Sequence, residues 1–159
     1  LNIGGTGTQA CRSWQTLAIR GSGYAYLESS GVVNHGSSVG GTFLSYSNGD
    51  IIGIAINLDD EQGGLNKLYF SKNGVWQNGA DPSNHSSVTG VVGITSGETY
   101  FFATGDKTGS SCQLASNFGN GIFNQSAVSS EGTNASGNGI FEYDVPTGYT
   151  ALSTKGLNL

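Results

Sequence analysis

The chain has 159 residues, of which 27 are glycine, 2 are proline and 11% are charged, whereas a typical globular protein has roughly 25% charged residues. This length predicts one domain with a buried core. The formal net charge of -5, with only 6 Lys and Arg residues, disfavours nucleic acid and anionic membrane surfaces as partners, because both need clustered cations. No stretch approaches the roughly 18 consecutive apolar residues of a membrane span. A surface that depends on Ser, Thr, Asn and Gly favours an extracellular or virion protein over a cytosolic enzyme.

Short β-like segments separated by Gly, Ser and Asn clusters run through the chain, and glycine recurs too often for a helical apolar stripe. Repeated short strands at this spacing are typical of an all-β protein, an antiparallel β-sandwich. In chain order, strands are predicted at 16–21, 23–29, 42–50, 50–59, 67–77 (a hairpin), 87–94, 99–106, 111–119 and 139–152.

The predicted strand at 50–59 has two different faces, because successive side chains point to opposite sides of a sheet. One face carries the large aliphatic side chains of Ile52, Ile54, Ile56 and Leu58. The other carries the smaller side chains of Gly53, Ala55 and Asn57. This second face is small enough to lie beneath another layer.

The predicted hairpin, KLYFSKNGVWQ at 67–77, has Asn73-Gly74 at its turn, a dipeptide that tolerates the positive φ angles of a tight hairpin. In the strand predicted at 111–119, one face carries Cys112, Leu114, Ser116 and Phe118. In the strand predicted at 139–152, Pro146 ends the extended run.

Three polar stretches, 29–41, 78–87 and 124–139, are predicted to be loops that cluster at one end or edge of the sandwich. Loops on a rigid frame are the usual place for binding residues. The chain contains no Met and opens on Leu1, which predicts that an upstream segment was removed or that these residues are part of something longer.

Two cysteines, Cys11 and Cys112, allow two interpretations. A disulfide that closes so long a loop would stabilise the fold by about 4–5 kcal/mol in the chain-entropy model. The equally weighted alternative is a pair of buried free thiols. Neither His35 nor His85 has zinc-like spacing to the cysteines, so no structural zinc is expected, and no cofactor is predicted.

The segment from Asp50 to Pro82 resembles the central part of the SPRY domain family. GDIIGIAINLDD matches a family strand that ends in an acidic turn, and KLYFSKNGVWQNGADPS matches the hairpin that follows. YFFATGD and LASNFGNGIF are similar to elements near the end of the domain. The resemblance implies a concanavalin-like jelly roll that recognises partners through loops at one end of the sandwich and is not an enzyme.

The closing stretch GIFEYDVPTGYTALSTKGLN resembles the end of SPRY-like domains in virion and tail proteins of bacteriophages. The matching positions are Phe141, Tyr143, Pro146, Gly148, Tyr149, Ala151, Leu152, Thr154, Lys155 and Leu157. The likeness covers roughly residues 40–159, the sandwich core. Residues 1–39, predicted to form N-terminal strands, match less well. The opening strand of the family is absent there, which leaves one sheet edge unassigned unless an upstream segment supplies the strand.

Candidate binding residues come from aromatic side chains and from the polar loops. Tyr69 and Trp76 are a possible aromatic platform for a sugar or peptide, since aromatic rings bury a large area at small entropic cost; core packing is the alternative for either ring. His35, Asn84 and His85 lie in predicted loops and are candidates for surface contacts.

Catalytic and metal-binding chemistry is weakly indicated. GSSVG around Ser37 lacks the strand–turn–helix setting of a nucleophile elbow, so no enzyme is predicted. Asp59, Asp60 and Glu61 form an acidic turn that is a weak calcium candidate, because the spacing departs from that of a calcium loop.

The sequence thus predicts a non-enzymatic virion component of a bacteriophage, such as a tail-fibre, tail-tip or capsid-surface domain, located in the virion or outside the cell. Its partners would be other virion subunits, in a homo-oligomeric arrangement, and a host receptor or glycan. The alternatives are a cellular SPRY adaptor that binds a partner peptide and a carbohydrate-binding module.

Overall fold

The computed structural model describes most of the chain, and for residues 2–5, 13–18 and 105–106 it describes the backbone alone. The described ranges are 2–5, 13–18, 23–27, 30–35, 37–59, 66–106 and 114–152. Cys11, Cys112, Asp60 and Glu61 lie outside these ranges, so the predicted disulfide and most of the acidic turn lie outside the described residues.

The described residues form short strands and a single turn of 3₁₀ helix, η1 (Gln77–Gly79). The strands are β1 (Asn2–Gly5), β2 (Ser13–Ala18), β3 (Tyr24–Leu27), β4 (Val32–His35), β5 (Ser37–Ser38), β6 (Ile51–Asn57), β7 (Asn66–Lys72), β8 (Val75–Trp76), β9 (Val92–Ile94), β10 (Phe101–Asp106), β11 (Leu114–Asn117), β12 (Ile122–Phe123) and β13 (Ser126–Ala127).

The strands form two main antiparallel sheets. Sheet A has the order β11-β1-β6-β7-β8, and β9 pairs with the first half of β7. Sheet B has the order β10-β2-β3-β4-β5, and β12 pairs only with β13. The prediction of an all-β antiparallel sandwich is confirmed. Within the described residues, no helix has the length and apolar character needed to cross a membrane.

The core lies between the inner faces of the two sheets, as the period of two along each strand requires. Sheet A contributes aliphatic and aromatic side chains from β6, β7 and β9, and sheet B contributes residues of β3 and β4. The largest buried side chains of this cluster include Tyr26, Val33, Ile52, Leu68 and Phe70.

An irregular segment, residues 39–50, closes one side of this core instead of the strand predicted at 42–50. Its buried side chains, Phe43 and Tyr46, are three residues apart, which the two-residue period of a strand does not allow. The backbone N–H of Thr42 donates to Asn78 Oδ1 at 2.8 Å. A side-chain amide thus replaces a neighbouring strand as the hydrogen-bond partner.

The predicted Asn73-Gly74 hairpin is confirmed. Asn73 has a φ of 48° and Gly74 has a φ of 80°, which is the backbone that a tight hairpin turn between β7 and β8 requires. The Asn73 side chain also ties the hairpin to the start of β6, because Ile51 N–H donates to its Oδ1 at 2.8 Å.

Other predicted boundaries are wrong. The stretch 29–41 is not a loop, because it contains β4 and β5. The stretch 139–152 contains no strand, and a lone bridge joins Ile140 to Asn120. Leu58 follows the end of β6 and is 48% exposed, so it does not share the buried face of the strand.

The three predicted loops do not form one described cluster. Gly41, at the end of the first stretch, lies against the Asn78 side chain, at the start of the second. The third stretch, 124–139, instead hydrogen-bonds to residues 141–145. Its contacts therefore lie with the C-terminal part of the chain.

Candidate functional site: a cleft on the outer face of sheet A

The C-terminal residues 138–152, here called the C-terminal cover, lie over the outer face of sheet A. Phe141 and Ala151 of this segment are buried. They lie where the sequence predicted a final strand, but they pack as a third layer. The prediction that small residues of β6 lie beneath another layer is therefore confirmed.

Asn117, at the end of β11, fixes one side of the cover. Its side chain is 0% exposed. Its Nδ2 donates to the carbonyl oxygen of Ile140 at 2.8 Å, and its Oδ1 accepts the N–H of Gly119 at 2.7 Å and that of Gly121 at 3.2 Å. One buried side-chain amide thus provides hydrogen-bond partners for three backbone groups that do not pair with a neighbouring strand.

Gly139 allows the two ends of the cover to pack closely on each other and on the turn that follows β11. A Cβ there would lie 2.6 Å from the Cβ of Ala151 and 3.0 Å from the Cα of Gly119. Its φ of 87° is also a conformation that favours glycine. The cover therefore needs glycine at this position for both space and backbone geometry.

Aromatic packing fixes the opposite side of the cover. Tyr69, on the outer face of β7, is 1% exposed. Its ring meets those of Trp76 and Tyr149 edge-on, each at a centroid distance of 6.4 Å. Burial raises the pKa of the Tyr69 hydroxyl. The ring joins the β7–β8 hairpin to the cover.

A buried cation supports the same side. Lys67 is 1% exposed, and its Nζ donates to the carbonyl oxygen of His85. The imidazole Nε2 of His85 lies 3.3 Å from the carbonyl oxygen of Thr147. The 78–87 loop is thereby joined both to β7 and to the cover.

Between these two attachments the cover leaves a cleft of about 580 Å³. Its floor is the small outer face of β6, formed by Gly53, Ala55 and Asn57, and half-buried Trp76 and Tyr143 are among the side chains of its wall. Aromatic and apolar walls with a few polar groups are typical of ligand sites.

The cleft follows one edge of β6. Its lining includes every residue from Gly53 to Asp59, together with Phe102 of sheet B and Leu152 of the cover. The described register of β1 along this edge ends with Asn2 opposite Gly53. Leu1 lies outside the described residues, so the pairing is described no further along this edge.

The charged groups of the cleft are acidic. Asp59 and Asp144 are both exposed and line it. Backbone and side-chain hydrogen bonds from Thr133 lower the pKa of the Asp144 carboxyl. Asp144 is thus held as an anion at the rim, and it joins the 124–139 stretch to the cover. Within the described residues, no group of three or more His, Cys, Asp or Glu side chains is placed to hold a metal ion.

The structure brings together only part of the predicted site. Trp76 and His85 both line the cleft. Tyr69 lies beneath it, so the prediction that Tyr69 forms an exposed platform is wrong. Asn84 is exposed in a turn and does not line the cleft.

His35 lies elsewhere. Its ring stacks on that of Tyr24 at a centroid distance of 4.1 Å and an interplanar angle of 3°. Because Tyr24 belongs to the core cluster, His35 covers an edge of the core. The predicted surface role of His35 therefore has no counterpart in the cleft.

Sequence reasoning missed Tyr143, Asp144 and Phe141 as residues of the site. The resemblance marked Phe141 and Tyr143 as positions in a family pattern, but a closing strand was expected there. The usable signal was the small face of β6, which required a covering layer that the predicted strands did not supply.

Comparisons of this chain with protein-family models, curated proteins and solved structures find no match. The likeness to the SPRY family therefore rests on the sequence motifs alone.

Proposed function

We propose that this protein is a non-catalytic recognition domain on the surface of a bacteriophage virion, and that it holds its partner in the cleft beneath the C-terminal cover. The observation that carries this proposal is the concave site of about 580 Å³ on the frame of a β-sandwich. The phage assignment is supported by the closing motif and by the low charge of the chain.

The hydrogen bonds of the cleft support a binding role over a catalytic one. His85 Nε2 faces a backbone carbonyl oxygen, and the Asp144 carboxylate accepts the N–H of Thr133 at 2.6 Å. A general base must reach the proton that it removes. Both groups instead hold loops in place, which is what a preorganised binding surface needs.

A second candidate function is carbohydrate binding. It is favoured by half-buried Trp76 in a cleft that also contains the polar groups of Asn57 and Asp144. An aromatic ring beside hydrogen-bonding groups suits a ligand with one apolar and one polar side. A sugar on a bacterial surface would satisfy both this candidate and the virion proposal.

Electron microscopy of the particle that carries this chain tests the virion assignment. Symmetry-related copies on a capsid or tail are the expected result, with the cleft facing either outward or a neighbouring subunit. Recovery of the protein only as a free monomer, with no particle, would contradict the assignment.

Substitutions test the site separately. Trp76→Ala should weaken binding of the purified, labelled protein to cells of the host strain by about tenfold or more, as loss of a central aromatic anchor does. Val39→Ala is the matched control, because Val39 is exposed on sheet B's side of the molecule and does not line the cleft. Equal binding by both variants would remove the cleft from the recognition surface.

A further inference from the structure

Five Asn-Gly pairs occur in the chain, and this dipeptide is prone to spontaneous loss of the asparagine side-chain amide. The pairs begin at Asn48, Asn73, Asn78, Asn120 and Asn138. The backbone nitrogen of the glycine attacks the side-chain carbonyl carbon of the asparagine. Glycine favours this attack because it has no Cβ to obstruct the approach and leaves the backbone free to turn. The rate at each pair therefore depends on how far the fold restrains it.

The pair in the β7–β8 hairpin is restrained, although Asn73 itself is exposed. Its side-chain Oδ1 accepts the N–H of Ile51 at 2.8 Å, and its Nδ2 donates to the carboxylate of Asp50 at 2.7 Å. A Cβ added at Gly74 would lie 2.7 Å from Cδ1 of Tyr143, so that ring covers the glycine. Both halves of this pair must leave their partners before the nitrogen can attack.

Three other pairs are also restrained by the fold. The side-chain Oδ1 of Asn78 accepts the N–H of Thr42 at 2.8 Å. In the pair at 120–121, the attacking glycine nitrogen donates to Asn117 Oδ1 at 3.2 Å. Asn138 is 9% exposed, so its side chain has little access to water. Each of these pairs loses a hydrogen bond or leaves a packed position if it reacts.

The fifth pair lies in an open turn at the end of the irregular segment 39–50. Asn48 and Gly49 are both exposed. A Cβ added at Gly49, which has a φ of 86°, would have no atom within 4 Å. The turn is closed by the N–H of Asp50, which donates to the carbonyl oxygen of Ser47 at 3.1 Å. The backbone of this pair therefore meets water and has space to change its conformation.

We propose that Asn48 is a site of spontaneous deamidation, with water as the co-reactant. The backbone nitrogen of Gly49 loses its proton and forms a bond to Cγ of Asn48, and the side-chain nitrogen leaves with a proton as ammonia. Water then adds its hydroxyl to one of the two carbonyl carbons of the cyclic succinimide and its proton to the ring nitrogen, which opens the ring. The products are aspartate and isoaspartate, whose main chain runs through the former side-chain carbonyl carbon.

Both products place a new carboxylate two residues from Asp50. The Asp50 carboxylate accepts the N–H of Ser47 at 2.8 Å and forms an ion pair with Lys72 at 3.0 Å, so the added anion acts on the groups that join this turn to β7. Isoaspartate also lengthens the backbone by one methylene group. The hydrogen bond that closes the turn then loses its geometry, and we expect the end of segment 39–50 to be held less firmly.

Peptide mapping by mass spectrometry tests the site on the whole chain. The protein is kept in mildly alkaline buffer, which favours loss of the Gly49 proton, and deamidation of each Asn-Gly pair is followed with time. In the folded protein, Asn48 should react at least about tenfold faster than Asn73, since one net hydrogen bond contributes about that factor. In concentrated urea the two rates should become similar, because both dipeptides have the same chemistry once the fold is lost.

Asn48→Gln is the matched control, because glutamine forms the corresponding ring much more slowly. After the same incubation this variant should be unmodified at this position and keep its midpoint in urea denaturation, while the midpoint of the wild-type protein should fall. Equal rates at Asn48 and Asn73 in the folded protein, including no reaction at either, overturn the proposal. A difference that persists in urea also overturns it, because the fold is then not the cause. An unchanged midpoint after complete reaction at Asn48 would refute the effect on the turn.

Discussion

Gly132→Ala should loosen the C-terminal cover and leave the sandwich core intact. A Cβ at this position would lie 2.2 Å from the carbonyl carbon of Tyr143 and 2.5 Å from the backbone nitrogen of Asp144. Both are backbone atoms, which cannot rotate away as the end of a side chain can. The two chain segments must separate by roughly 1.3 Å or more to reach ordinary van der Waals contact.

That separation acts on two backbone hydrogen bonds between the segments. Gly132 N–H donates to the carbonyl oxygen of Phe141 at 2.9 Å, and Val145 N–H donates to that of Thr133 at 2.8 Å. At about 1 kcal/mol for each bond, we expect a loss of about 2 kcal/mol in the free energy of unfolding. Partial exposure of Phe141 would add to it.

Urea denaturation measures this loss, and Gly137→Ala in the same stretch is the control. Gly137 has a φ of 67°, and a Cβ added there would have no atom within 4 Å, so alanine at this position costs backbone strain alone, about 1 kcal/mol. The NMR chemical shift of the Phe70 amide should be unchanged in both variants, because the core of the folded state keeps its packing. If Gly132→Ala is no more destabilising than Gly137→Ala, the close approach to the cover does not constrain this position.

Three further substitutions test the stability of the sandwich and the attachment of the C-terminal cover. Burial would raise the pKa of the Asp50 carboxyl, but hydrogen bonds from Asn73 and Ser47 and its ion pair with Lys72, at 3.0 Å, outweigh burial and lower it. A carboxyl whose pKa is lowered by folding stabilises the folded state at pH values above its unfolded pKa of about 3.9. This stabilisation is lost as the pH falls through the folded pKa. Asp50→Ala should therefore cost about 2 kcal/mol at pH 7 and less at pH 3, and equal losses in urea titrations at both values would contradict this. Asn117→Ala should cost about 3 kcal/mol, because three buried hydrogen bonds are lost; an unchanged melting temperature would refute that role. Phe70→Ala should cost about 3–5 kcal/mol through a core cavity, and a urea-measured loss below about 1 kcal/mol would remove Phe70 from the core.

The sandwich was predictable because its signals are local. Alternation along Ile52, Gly53, Ile54 and Ala55 defines two faces within a few residues, and Asn73-Gly74 defines a turn by its own backbone preference. Such features require no knowledge of distant parts of the chain.

The segment 42–50 was mispredicted because its partners are distant in sequence. Its apolar and aromatic residues resemble those of a strand, but the amide of Asn78 takes the hydrogen bond of Thr42. Phe43 and Tyr46 then turn inward on an irregular backbone. The rings of Phe43 and Tyr46 can be buried by a strand or by an irregular segment, so hydrophobicity alone does not distinguish these two backbone structures.

The cleft was not predictable for a related reason. The residues that form it come from β6, the hairpin, the 78–87 loop and the cover, and no short motif joins them. The stretch 139–152 contains aromatic residues suited to a strand. Gly139, Pro146 and Gly148 interrupt it, and its backbone groups bond to side chains and loops instead of to a sheet.

The small outer face of β6 explains both the cover and the cleft. Large side chains at Gly53 and Ala55 would fill the space between the two attachments of the cover, at Asn117 and at Tyr69. Small side chains at these positions leave a groove between the two attachments, and the cover remains anchored at both. A partner in this groove would meet aromatic rings and small side chains, which suits a protein in which only 11% of the residues are charged.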